Sequence, residues 1–110
     1  MSGSGKGQAA AFAALATRRL ALVANVSALT AEALRLSQKL SGIEMDVLRL
    51  QLEIGRAGAG IQLVQELHDA EENAAAAREA CMKGEGRIEA IEIEIADIDR
   101  ALAKSNGEQP

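Results

Sequence analysis

This sequence has almost no aromatic residues: Phe12 is the single Phe among 110 residues, and Trp and Tyr do not occur. A compact globule of this size normally fills its centre with several aromatic rings, so their absence points to contacts made by aliphatic side chains. Proline is missing except at Pro110, which leaves long stretches free of any helix breaker. Cysteine occurs once, at Cys81. One thiol excludes an internal disulfide and a cysteine zinc cluster, and it suits a reducing, cytoplasmic setting. Acidic residues are missing from the start of the chain, the first being Glu32. An acid-free start that bears Ser and Arg is also the composition of organellar targeting segments. Arg18 and Arg19 interrupt its Ala-rich run, so no transmembrane helix is expected, and Gln8 to Ala16 is too short for a secretory signal.

What is present is aliphatic and helix-prone. Hydrophobic residues make up 48% of the chain, chiefly Ala, Leu, Ile and Val, which suits helix-on-helix packing in one domain. The net charge of -4 is unevenly spread. Residues 1–60 carry Lys6, Arg18, Arg19, Arg35, Lys39, Arg49 and Arg56 against four acids, whereas residues 61–110 carry five basic side chains against twelve acids. The two halves should attract each other. An acidic balance with neither a basic cluster nor aromatic faces argues against a nucleic-acid partner.

The organising pattern is an apolar heptad from Phe12 to Ile54. Phe12, Leu15, Leu22, Val26, Leu29, Ala33, Leu36, Leu40, Ile43, Val47, Leu50 and Ile54 fall on steps of three and four, with Arg19 the one polar member of the series. That is a coiled-coil seam. A second heptad runs through Leu63, Leu67, Ala70, Ala74, Ala77, Cys81, Gly84, Ile88, Ile91, Ile95, Ile98 and Leu102. The alternation Ile91-Glu92-Ile93-Glu94-Ile95 has a strand period, but the heptad around it and the lack of a partner strand favour helix. Between the heptads, Gly55-Arg56-Ala57-Gly58-Ala59-Gly60 is a turn signal.

These elements predict an all-α, antiparallel two-helix coiled-coil hairpin that assembles into a helical bundle. Residues 1–7 are expected to form a flexible Gly/Ser leader, 8–54 the first helix, 55–60 the turn, 61–104 the second helix and 105–110 a disordered tail. Folding at the turn sets Ile54 against Leu63, Val47 against Ala70, Ile43 against Ala74, Leu40 against Ala77 and Leu36 against Cys81. Farther out, Leu29 meets Ile88, Val26 meets Ile91, Leu22 meets Ile95 and Leu15 meets Leu102. Arg19 then falls opposite Ile98, within reach of Glu94, Asp97 and Asp99. The layer in which Ala33 meets Gly84 is short of bulk, so a kink, a break at 84–86 or room for another side chain is expected there.

The seam does not account for all the apolar bulk. Leu20, Leu34 and Leu48 recur every fourteen residues on one flank of the first helix, with Val23, Met45 and Leu52 close by, and Met82 and Ile93 lie off the seam of the second. A lone hairpin would leave these in water, so Leu20, Val23, Leu34, Met45, Leu48, Leu52 and Ile93 are the candidate partner-binding residues. The expected partner is a second copy, giving a dimeric four-helix bundle, or another helical protein.

Candidates for chemistry are weaker. Ser4-Gly5-Lys6-Gly7 lacks the earlier Gly, the Ser or Thr after the Lys, and the preceding strand of a phosphate loop. His68, the single histidine, has Glu71 and Glu72 on the following turn, but a di-iron motif needs Glu at position 65, which is Gln. Cys81 sits on the seam as a compact apolar filler. No catalytic residue, metal site or cofactor is assigned.

In length and outline the chain is similar to small secreted helical hairpins with a Trp-x-Gly turn, and in shape to the export-apparatus stalk proteins. It has no Trp and turns on Gly-Arg-Ala-Gly-Ala-Gly, so neither family is assigned. The function expected is a non-enzymatic interaction module: an assembly, adaptor or scaffold element. The alternative is a small export-linked or secreted hairpin, or a chaperone, that folds stably only with a different partner. A third is a peripheral membrane element using the acid-poor start.

Overall fold

A computed structural model of the chain describes residues 2–107. Helix α1 spans Ser2–Ala57 and helix α2 spans Ile61–Gly107, with no strand among the described residues. The protein is an all-α helical hairpin. Ala, Leu, Arg and Glu supply intrinsic propensity throughout, and Arg56 and Lys104 lie in the last turns, where the helix dipole favours a positive charge.

The helices are longer than the sequence suggests. Residues 2–7, expected as a flexible leader, belong to α1. Once a helix is nucleated, each further residue adds a hydrogen bond, and no proline in this stretch stops the propagation. At its other end α1 continues past Ile54 to Ala57, because Gly55 and Arg56 keep helical backbone and the reversal comes only at Gly58. α2 passes through Gly84 and Gly86 without the break foreseen there, and ends at Gly107 instead of Lys104. Single glycines cost about 1 kcal/mol of helix propensity, too little to interrupt a helix held by a continuous seam. Met1 and residues 108–110, assigned to the leader and the tail, lie outside the described residues.

The turn is therefore three residues, Gly58 to Gly60. Gly58 has φ of 93°, the left-handed conformation that closes many helices, and its N–H donates to the Ile54 carbonyl at 2.9 Å. The Gly60 N–H donates to the Gly58 carbonyl at 3.1 Å, and the Gly60 carbonyl accepts from Val64 N–H at 3.0 Å, opening α2.

The hairpin divides into two compact units, Ala31–Glu85 and the pairing of Met1–Thr30 with Gly86–Pro110. In Ala31–Glu85, Leu50, Ala74 and Ala77 are buried, while Leu36, Leu40, Ile43, Val47, Ile54, Leu63, Leu67, Ala70 and Cys81 are half-buried. Val47 borders one groove with Ala74, and Leu36 and Ile43 border another with Ala77. In the other unit Leu22 and Ile98 are buried, and Phe12, Leu15, Val26, Leu29, Ile88, Ile91, Ile95 and Leu102 are half-buried. A fully buried Leu contributes about 1.5–3 kcal/mol.

Candidate interaction surface

Leu20, Leu34 and Leu48 each follow a seam residue by one position: Arg19, Ala33 and Val47. One step turns a side chain by roughly 100° around the helix, which carries it away from α2. Consequently Leu34 is 62% exposed and Leu48 49% in the unit Ala31–Glu85, and there Met45 and Leu52, each midway between two seam residues, are 65% and 59% exposed. In the other unit Leu20, Val23 and Ile93 are exposed. All seven expected residues are thus surface side chains of the hairpin. The structure adds Ile61 and Val64, exposed at the start of α2, and leaves Met82 in water. Ile61 and Val64 fall off the second heptad next to the turn, and following that heptad outward from its seam would have singled them out.

Ion pairs flank the seam. In the unit built from the chain ends, Arg18 pairs with Glu94 at 3.0 Å. Arg19 grips Asp99 with Nε to Oδ1 at 2.5 Å and Nη2 to Oδ2 at 3.4 Å. Asp97 is taken by Arg100 on its own helix. Of the three acids expected near Arg19, only Asp99 becomes its partner. The hydrogen bonds from Arg19 hold the Asp99 carboxyl below its ordinary range, and Asp99 in turn raises the Arg19 guanidinium. In the unit Ala31–Glu85, Arg78 reaches Glu44 across the helices at 3.8 Å, and the remaining pairs, Arg35 with Glu32, Arg49 with Glu53 and Lys83 with Glu79, are local. Exposed pairs such as Arg78 with Glu44 contribute at most about 1 kcal/mol, so they select orientation more than they stabilise.

His68 Nε2 lies 3.2 Å from Glu72, and both side chains are mostly exposed. Among the described residues no three His, Cys, Asp or Glu side chains group to hold a metal, and no polar or charged side chain is buried. Cys81 is a free, half-buried thiol. The grooves are cavities along the helix pair. One, of about 340 Å³, is lined by Val23, Val26, Ile95 and Ala96 together with Glu92 and Asp99.

One expectation needs correcting. Arg18 and Arg19 do not prevent α1 from containing a window long and apolar enough, by length and composition, to cross a membrane, because two charges are few against the surrounding Ala, Leu and Val. No protein family, curated protein or solved structure matches the chain.

Proposed function

We propose that the chain is a non-enzymatic, cytoplasmic protein–protein interaction module, an assembly, adaptor or scaffold element that works by coiled-coil packing and self-association. The observation that carries this reading is the apolar flank of α1: Leu34, Met45, Leu48 and Leu52 stay exposed after the seam of their unit is filled. Such a concentration on one flank of one helix marks a contact surface better than scattered single residues do. Light scattering on the purified chain tests it. A mass of two or more chains for the wild type, reduced by Leu34→Glu with Leu48→Glu, supports the module. An unchanged mass in the double variant removes this flank as an interface.

A second reading has its own observation, the membrane-compatible window in α1. In it the flank rests on a lipid surface. Sedimentation with anionic vesicles, together with circular dichroism, separates the two: the interaction module stays in the supernatant.

A further inference from the structure

The seam of α1 does not stop where α1 stops. From Leu50 and Ile54 its steps of three and four lead on to Ala57, Ile61 and Val64, across the turn and into α2. In the hairpin neither Ile61 nor Val64 is used: Ile61 is 90% exposed and Val64 46%, while the seam of α2 starts beside them at Leu63. The continuation has one direction. Traced back across the turn, the α2 seam meets Gly60, Arg56 and Glu53, which offer no apolar bulk. Little holds the turn itself. Gly58 is the one residue with a positive φ among the described residues, and a Cβ built at Gly55, Gly58 or Gly60 meets no atom within 4 Å.

We propose that the turn opens, that Gly58–Gly60 become helical, and that two opened chains pair antiparallel with their helices exchanged, α1 of each against α2 of the other. The proposal rests on the self-association put forward above and names its route, which is the seam; the leucine flank stays outside and free to join such pairs. Every seam contact of the hairpin is remade between chains, so a second copy needs no new surface. What is new lies in the middle. About a twofold axis at Ala59, Ile54 meets Leu63 and Val64 of the second copy, and Ala57 meets its Ile61, large against small. These layers continue the established seam and cover the two side chains that the hairpin leaves in water. The phase passes from the α1 seam to the α2 seam by one residue, at Val64 and Leu63, which local overwinding of the joined helix takes up. Exchange gives up the nearness of two helices on one chain, so it rises with protein concentration.

The test uses the full chain with Cys81→Ala, Glu44→Cys and Arg78→Cys. Glu44 and Arg78 face each other across the helices and are both exposed, so the seam is left intact. The species of two or more chains is isolated by size and treated with a short bis-maleimide. Exchange predicts links between chains, seen as a two-chain band on a denaturing gel, whereas hairpins that associate whole link within each chain. A second measurement needs no cysteine. Gly58→Ala with Gly60→Ala disfavours the closed turn and should raise the two-chain fraction severalfold at fixed concentration. Ile61→Ser with Val64→Ser should lower it severalfold while leaving the helicity of the monomer unchanged, because both side chains are exposed there. Leu34→Glu with Leu48→Glu should reduce no assembly below two chains. An assembly whose links stay within one chain, or that ignores the change at Ile61 and Val64, overturns exchange and leaves self-association standing. A wild type that stays monomeric by light scattering at every concentration overturns both.

Discussion

Arg19 and Asp99 meet across the two helices in a two-pronged ion pair although they are eighty residues apart in the sequence, Nε to Oδ1 at 2.5 Å. Arg19 is the one charged member of the first seam, and Ile98, the residue it was expected to face, is buried beside Asp99. The guanidinium therefore lies over the seam's edge and is satisfied there.

This pair gives stability a pH dependence of known sign. The Asp99 carboxyl is held below its ordinary value of 3.8, so the folded state binds its proton less tightly than the unfolded chain does. The contribution is fully present above that ordinary value and is lost as pH falls below it, through the depressed folded-state value. Arg19 is raised from a value that is already very basic, so its share persists across the usable range. The difference in melting temperature between wild type and Asp99→Asn should be largest near neutral pH and shrink in acid. A constant gap would show that the pair does not titrate as described.

The glycines of α2 offer a gain. A Cβ added at Gly84 or at Gly86 meets no atom within 4 Å, and both residues are helical. Gly84→Ala and Gly86→Ala should each stabilise the hairpin by about 1 kcal/mol through helix propensity. Denaturant midpoints that fall would mean that these glycines serve a purpose other than helix propensity.

Gly58 should behave in the opposite way. Space is available for a Cβ, but φ of 93° is unfavourable for an L side chain. Gly58→Ala should destabilise by about 1–2 kcal/mol, whereas Gly55→Ala, within α1, should not. Chemical denaturation of the two variants side by side checks the contrast.

Neighbouring leucines should separate seam from flank. Leu22 is 2% exposed and Leu20 72%. Leu22→Ala should cost about 2–5 kcal/mol by leaving a cavity. Leu20→Ala should change hairpin stability by no more than about 0.5 kcal/mol. Equal losses measured by thermal unfolding at low protein concentration would place Leu20 in the core as well.

Which parts of this could be read in the sequence follows from the range of the forces involved. The seams were legible because burial imposes a strict period, and each seam position from Phe12 to Leu102 is buried or half-buried. The flank residues were legible for the same reason, since apolar side chains off the seam period have no place in the contact between the helices and stay exposed. Helix ends were not. Residues 2–7 and the pair Gly84 and Gly86 were assigned by composition, yet a helix already formed can absorb a residue that would not start one. The choice of Asp99 by Arg19 was also hidden, because Asp97 is as near to Ile98 by residue number and Glu94 lies only one helical turn before it. Arg18 and Arg100 engage those two acids instead.

The three-residue turn has a kinetic consequence. Closing a loop this short costs little entropy, so contacts beside Gly58–Gly60 can form before those that join the chain ends. Pairing should start beside the turn, between Ile54 and Leu63, and advance outward, with Arg19 and Asp99 meeting late. Amide hydrogens near the chain ends should then exchange sooner than those beside Leu50, making the termini the region that opens most readily when another helix competes for them.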